Sequence, residues 1–91
     1  MFVVIFGRPG CSFCVRAVQL AKTLKASNAI EGFRYVDIHA EGITKAELGK
    51  TIGKPVHTVP QVLVDERHVG GFTEFDRYVR DHDLLSVANA R

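Results

Sequence analysis

The chain lacks the features that would mark a membrane, secreted or nucleic-acid-binding protein. Its formal net charge is only +2, which is too small for the basic field that nucleic acid requires. The first apolar run is broken by Gly7-Arg8-Pro9, so it is too short for a signal peptide or a membrane span. Internal repeats and low-complexity stretches are also missing. We therefore expect a cytoplasmic protein with no membrane and no nucleic-acid partner.

Cysteine is scarce, and the two cysteines present stand close together. Only two residues separate Cys11 from Cys14, and a reducing cytoplasm disfavours a purely structural disulfide. Half of a zinc site has the same spacing, but a structural zinc site needs four ligands. Two inert thiols would more often be scattered through the core. The histidines that would have to complete a zinc site are not spaced as a second ligand pair: His39, His57, His68 and His82.

The position of the two cysteines indicates redox chemistry. They follow the apolar run 2–6 and begin an amphipathic segment, so this Cys-x-x-Cys joins a strand to a helix. Unsatisfied N–H groups and the macrodipole at a helix N-terminus favour negative charge. Cys11 is therefore expected to lose its proton more readily than a free thiol. Cys14, nearly one turn further on, can close a disulfide with it.

The rest of the composition is that of an ordinary globular domain. Apolar residues make up 46% of the chain and charged residues 24%, which is typical of a folded, soluble protein. A chain of 91 residues can bury a core without metal or disulfide staples. We expect a single domain over residues 1–91, with a tail at 86–91 that frays.

The hydrophobic pattern predicts strands and helices that alternate before a final hairpin and helix. The run 1–6 is typical of a strand buried on both faces in the middle of a sheet, and a right-handed crossover makes 33–38 its parallel neighbour. Thr44 and Glu47 form a capping-box pattern for the second helix, and Thr73 is expected to cap the last one. The remaining strands are predicted at 61–64 and 67–69, and the first helix from residue 14 to about 27.

These elements give the order β-α-β-α-β-β-α. Two parallel strands come first and an antiparallel hairpin follows, with a turn of unassigned type at Asp65-Glu66. The predicted fold class is α/β, with a thioredoxin-like four-stranded mixed sheet and helices on both faces.

At this point the chain resembles the glutaredoxins, most of all the short bacterial dithiol type, glutaredoxin 1. Cys-x-x-Cys alone is weak evidence, but several motifs in the right order make the resemblance specific. They are Gly7-Arg8-Pro9-Gly10-Cys11-Ser12-Phe13-Cys14-Val15-Arg16-Ala17, Tyr35-Val36-Asp37-Ile38, Ala40-Glu41-Gly42-Ile43-Thr44, Thr58-Val59-Pro60-Gln61 and Gly70-Gly71-Phe72-Thr73-Glu74.

The resemblance implies a glutathione site around Cys11. In the family the valine–proline bond is cis and its loop faces the active cysteine, so the Val59 backbone would pair with the cysteine of glutathione. Free N–H groups at the start of the last helix suit the γ-glutamyl carboxylate, and Glu74, where the family usually has Asp, suits its ammonium. The residues that the resemblance assigns to glutathione are Arg8, Phe13, Thr58, Val59, Pro60, Gly71, Phe72, Thr73 and Glu74.

The implied activity is glutathione-dependent thiol–disulfide exchange through the catalytic pair Cys11 and Cys14. Glutathione would be a co-substrate, and no cofactor would be tightly bound. The implied partners are disulfide-containing or glutathionylated cytosolic proteins, among which the family includes ribonucleotide reductase. We expect a monomer.

Two residues depart from the Cys-Pro-Tyr-Cys that is usual in the family. Phe13 keeps the aromatic ring but loses its hydroxyl, and Ser12 replaces the proline. Some glutaredoxins without this proline bind a [2Fe–2S] cluster between two protomers, so a cluster-binding dimer ligated by Cys11 and glutathione is the alternative. A thioredoxin reduced by a flavoenzyme is a third hypothesis, which Arg8 and the Thr73-Glu74 pair disfavour.

Overall fold

The computed structural model describes residues 1–85. These residues have the predicted order of elements, β-α-β-α-β-β-α. The tail that was expected to fray, 86–91, lies outside the described residues. The elements are β1 (Phe2–Gly7), α1 (Ser12–Ala26), β2 (Gly32–Asp37), α2 (Lys45–Ile52), β3 (Gln61–Val64), β4 (Arg67–Gly70) and α3 (Phe72–Asp81).

The four strands form one mixed sheet in the order β2-β1-β3-β4. β1 pairs in parallel with β2, with Val3 opposite Phe33, as the right-handed crossover predicts. β1 also pairs antiparallel with β3, and β3 pairs antiparallel with β4. β1 therefore lies inside the sheet, which confirms its predicted position.

Helices cover both faces of the sheet, and side chains alternate between two cores. Val3 and Ile5 of β1 are fully buried in the larger core, which includes apolar residues of α1 and α3. Phe6 packs into a smaller core around Leu48 of α2 and is only half-buried. One face of β1 is thus fully buried and the other is partly so, a smaller burial than the continuous apolar run predicts. Each fully buried large apolar side chain contributes about 1.5–3 kcal/mol.

The two later helices begin differently. In α2, the Thr44 hydroxyl accepts from Glu47 N–H at 3.1 Å, and the Glu47 carboxylate accepts from Thr44 N–H at 2.9 Å. This is the predicted capping box. In α3 the cap is Gly71 and not Thr73, so that prediction was wrong. The Glu74 carboxylate accepts from Gly71 N–H at 2.8 Å, which lets the chain enter the helix two residues earlier than the threonine indicated.

The β3–β4 hairpin turns tightly through two residues with left-handed backbone. Asp65 has φ of 49° and Glu66 has φ of 69°, and two central residues with positive φ define a type I′ turn. The Asp65 carboxylate also accepts from Phe2 N–H at 2.8 Å, which fastens the turn to β1. Within residues 1–85, no helix has the length and apolar character that a membrane crossing requires.

Candidate active site

The two cysteines lie at the junction of β1 and α1, and they form a disulfide. Cys11 is the N-cap of α1, and its Sγ accepts from Cys14 N–H at 3.2 Å. In this position the Cys11 sulfur lies against the partial positive charge of the helix N-terminus. This geometry confirms the predicted placement of the pair between strand and helix.

Cys11 and Cys14 differ in their access to solvent. The side chain of Cys14 is 2% exposed and that of Cys11 is 9% exposed. A thiol or thiolate from another molecule therefore reaches Cys11 first, and Cys14 reacts only with a partner that is already inside the site.

The loop of residues 58–60, called the 58–60 loop below, lies against Cys11. The Val59–Pro60 peptide bond is cis, as the resemblance implied. The carbonyl oxygen of Val59 lies 3.7 Å from Cys11 Sγ. Pro60 is buried, whereas Thr58 is exposed. The backbone beside Val59 is thus adjacent to the reactive sulfur.

A groove of about 290 Å³, called the Phe13 groove below, opens beside this loop. It contains every residue that the sequence assigned to glutathione except Arg8. Val59 links it to the disulfide because this residue both lines the groove and contacts Cys11. The lining residues are Phe13, Thr58, Val59, Pro60, Gly71, Phe72, Thr73 and Glu74.

Two aromatic rings form one wall of the Phe13 groove. The rings of Phe13 and Phe72 stack with centroids 6.1 Å apart and an angle of 29° between their planes. The Arg16 guanidinium carbon lies 5.4 Å from the Phe13 ring centroid, within range of a cation–π contact. Phe13 is nevertheless 50% exposed, so it offers an apolar surface to a ligand.

The N-terminus of α3 forms another part of the groove. A Cβ atom added to Gly70 would lie 2.7 Å from Glu74 Cβ, and Gly70 has φ of 136°, so no other residue fits there without strain. At Gly71 an added Cβ would lie 3.5 Å from the Pro60 carbonyl oxygen. The first N–H groups of a helix have no intrahelical partner, and this end of α3 is therefore suited to an anionic group.

Arg8 lies in a different groove. This second groove of about 480 Å³ also contains Cys14 and Tyr35. Arg8 Nη1 donates to the Pro9 carbonyl at 3.2 Å. The structure therefore does not bring Arg8 together with the other residues assigned to glutathione.

Tyr35 lies near the site, and its sequence motif indicated no role for it there. A Cβ atom added to Gly7 would lie 2.9 Å from Cys14 Sγ and 3.0 Å from the Tyr35 hydroxyl oxygen. Burial, and secondarily the charge of Asp37, raises the pKa of Tyr35, so the phenol stays protonated. Only the parallel pairing of β1 with β2 brings Tyr35 to this point.

Gln61 and His68 form a hydrogen-bonded pair next to the 58–60 loop, and the sequence did not predict this pair. Gln61 Nε2 donates to the Thr58 carbonyl at 2.9 Å, and Gln61 Oε1 lies 2.6 Å from His68 Nε2. The one available signal was the place of Gln61 directly after Pro60 in the motif. Across residues 1–85 no three His, Cys, Asp or Glu side chains are grouped so as to hold a metal ion.

Comparison with known proteins identifies a family for this chain. Residues 3–69 match the family model described as Glutaredoxin. A glutaredoxin of Vibrio cholerae is 65% identical over 82 residues, covering 90% of this chain and 94% of the relative. The solution structure of oxidised Escherichia coli glutaredoxin matches with a TM-score of 0.79 at 52% identity, covering 89% of this chain and 95% of that one.

A more distant match is the structure of a complex with glutathione. A crystal structure of a buckwheat glutaredoxin–glutathione complex matches with a TM-score of 0.68 at 24% identity, covering 97% of this chain and 76% of that one. At this identity the likeness shows a shared fold.

Proposed function

The chain belongs to the glutaredoxin family of thiol–disulfide oxidoreductases, and we propose that it takes its electrons from glutathione, which binds in the Phe13 groove. The observation that carries the proposal is the contact of Val59 with both this groove and Cys11. A thiol-containing peptide lying in the groove would have its sulfur beside the more exposed sulfur of the disulfide.

The groove offers complementary groups to each part of glutathione. The backbone of Val59 can pair with the central cysteine as an added strand would. The N-terminus of α3 suits the γ-glutamyl carboxylate, and the Glu74 carboxylate suits the γ-glutamyl ammonium. The complex of the buckwheat glutaredoxin supports glutathione as the ligand of this fold. Arg8 lines the second groove and has no part in this proposed binding mode.

The reaction on a protein disulfide has two halves. In the first, the Cys11 thiolate attacks one sulfur of the substrate disulfide, and the other sulfur leaves as a thiolate. Cys14 then attacks Cys11 Sγ, which forms the Cys11–Cys14 disulfide and releases the second substrate thiol. The substrate gains two electrons, which the cysteine pair loses.

Glutathione restores the cysteine pair in the second half. A glutathione thiolate attacks Cys11 Sγ and Cys14 leaves as a thiolate. A second glutathione thiolate attacks the sulfur of the bound glutathione, which gives glutathione disulfide and frees Cys11. Reduction of a glutathionylated substrate needs only Cys11. The Cys11 thiolate attacks the glutathione sulfur of the mixed disulfide, the substrate leaves as a thiolate, and glutathione is transferred directly onto Cys11.

We further propose disulfide-containing and glutathionylated proteins of a reducing cytoplasm as substrates. In such a compartment the pair is kept available as thiols, which the reaction requires. Nothing in residues 1–85 and nothing in the comparisons favours the [2Fe–2S] alternative.

The test is glutathione-coupled reduction of two substrates by the purified protein, Cys11→Ser and Cys14→Ser. With a glutathione mixed disulfide, we expect Cys11→Ser to be inactive and Cys14→Ser to keep most of the activity. With a protein disulfide, both variants should lose it, because Cys14 must resolve the intermediate. A wild-type protein with no glutathione-dependent turnover of either substrate would contradict the proposal.

A further inference from the structure

We propose that His68 is a positioning residue for the glutathione site, which acts through Gln61 on the 58–60 loop. The inference rests on the proposed function, since it assigns a further residue to the same site. It starts from two hydrogen bonds in series. His68 Nε2 lies 2.6 Å from Gln61 Oε1, and Gln61 Nε2 donates to the Thr58 carbonyl at 2.9 Å.

The chemistry of these groups fixes the direction of both hydrogen bonds. The Thr58 carbonyl can only accept, so Gln61 must present its NH2 group to this carbonyl and its Oε1 to His68. An amide oxygen also only accepts, so His68 must donate through Nε2–H. In the neutral ring Nδ1 then carries the lone pair. Nδ1 is buried and has no hydrogen-bond partner among the described residues. No acceptor therefore favours a proton on Nδ1, which agrees with the tautomer protonated at Nε2.

The register of the β3–β4 hairpin places His68 on the same face of the sheet as Gln61. The two-residue turn pairs Val64 with Arg67 and Leu63 with His68, and residues directly opposite each other in an antiparallel pair project to the same face. Gln61 and Leu63 share that face because they are two residues apart. The hairpin register therefore aims the imidazole at Gln61. The β-bulge of β4 lies beyond His68, where Val62 pairs with Gly70 and leaves Val69 as an extra residue.

The hydrogen-bonded series holds the part of the loop that faces the reactive sulfur. Thr58 and Val59 both line the Phe13 groove, and the Val59 carbonyl lies 3.7 Å from Cys11 Sγ. Gln61 is 9% exposed, so water does not readily replace His68 as its partner. Without the His68 donor, Gln61 can turn away from Thr58 and the loop loses its fixed distance from Cys11.

The charges around His68 leave the donor in place. Burial and, secondarily, Lys54 lower the pKa of His68, and Glu74 opposes them, so the ring is neutral at neutral pH. The protonated ring donates through both nitrogens, so the Nε2–H bond exists in either state. The other charged residues that line the groove between β4 and α3 beside His68 are Arg67, Arg77 and Asp81.

The kinetic test compares variants that remove or keep the donor. His68→Leu removes it, and we expect the KM for glutathione to rise about threefold to tenfold with kcat almost unchanged, the effect of losing one buried hydrogen bond. His68→Gln keeps an N–H donor of similar reach and should restore the wild-type KM. Gln61→Met should resemble His68→Leu, and the double variant should be no worse than either single one.

The matched control is His39→Leu, which changes an exposed histidine outside the site and should leave the KM unchanged. A wild-type KM in His68→Leu would overturn the proposal, as would fully additive effects of His68→Leu and Gln61→Met.

A second measurement needs neither a variant nor glutathione. The ¹⁵N chemical shifts of the His68 ring in the wild-type protein should show Nε2 protonated and Nδ1 unprotonated at neutral pH. A proton on Nδ1 with a bare Nε2 would overturn the proposal even if the proposed function holds. If the wild type has no glutathione-dependent turnover, the proposed function fails, and the ring shifts still decide whether His68 donates to Gln61.

Discussion

The backbone N–H of Cys14 donates to Sγ of Cys11 at 3.2 Å, so the second cysteine stabilises the first through the main chain as well as by a disulfide. The donor is a main-chain N–H, so this relationship needs no side chain at position 14. The Cys14 N–H is thus in position to donate to a negatively charged Cys11 sulfur.

We therefore predict that the two reduced cysteines differ strongly in alkylation rate. Cys11 in the Cys14→Ser protein should react with iodoacetamide at neutral pH at least about tenfold faster than Cys14 in the Cys11→Ser protein, since Cys11 is the more exposed thiol and lies at a helix N-terminus. Each alkylation can be followed by mass spectrometry, with the protein unfolded in urea as the control. Equal rates in the folded proteins would contradict this interpretation.

Substitution of Gly7 is predicted to destabilise the protein for steric reasons. An added Cβ would lie 2.9 Å from both Cys14 Sγ and Tyr35 Cε1. The tyrosine is 38% exposed and can move, but Cys14 is 2% exposed and cannot. Gly7→Ala should therefore lower the free energy of unfolding in urea by about 1–3 kcal/mol, the usual effect of overpacking.

The matched control for Gly7→Ala is Gly32→Ala on the paired strand. There the added Cβ would meet only the ring of Phe2, at 3.2 Å, and that ring is 42% exposed and can give way. Both substitutions remove the same backbone freedom, so a loss of stability confined to position 7 would identify the contact with Cys14 and Tyr35 as the cause. Equal effects of the two substitutions would refute it.

Local features could be predicted from the sequence. The Cys11–Cys14 pair and the Thr44 cap each depend on residues within one helical turn, so their spacing carries the information. The cis bond before Pro60 came from the family resemblance, because cis is uncommon for any single X–Pro bond.

Features that depend on pairing between strands could not be predicted. The pairing that places His68 on the face of Gln61 exists only once β3 and β4 are in register, and the residue types of β4 do not indicate it. Asp65 and Glu66 both have positive φ, which their residue types do not indicate. At the start of α3, the Thr73 side chain is of a type that caps helices, but Gly71 is the cap and Glu74 accepts from its N–H instead.

Ser12 is predicted to tolerate the proline that most of the family has. It is the first residue of α1, where the N–H has no intrahelical partner and proline fits. Cys11 before it is extended, with φ of −103° and ψ of 107°, as a residue before proline prefers. Ser12→Pro should therefore raise the free energy of unfolding by about 0.4–1 kcal/mol by restricting the unfolded chain. Ser12→Ala is the control, and a loss of stability in Ser12→Pro alone would contradict the backbone argument.

His68 is predicted to make stability depend on pH. Burial first, and then Lys54, lowers the pKa of His68 below its ordinary value of 6.5. As the pH falls past that value, the unfolded chain binds a proton before the folded one does. The contribution to stability is therefore complete above pH 6.5 and is lost as the pH falls toward the folded pKa. Urea midpoints between about pH 8 and about pH 5 measure it, since histidine titrates in this range.

Two variants test the assignment to His68. His68→Gln keeps an Nε2 donor but cannot titrate, so its urea midpoint should fall less steeply with decreasing pH than that of the wild type. The midpoint of His39→Gln should fall as that of the wild type does. Parallel declines in all three proteins would show that the charge on His68 has no part in the folding equilibrium.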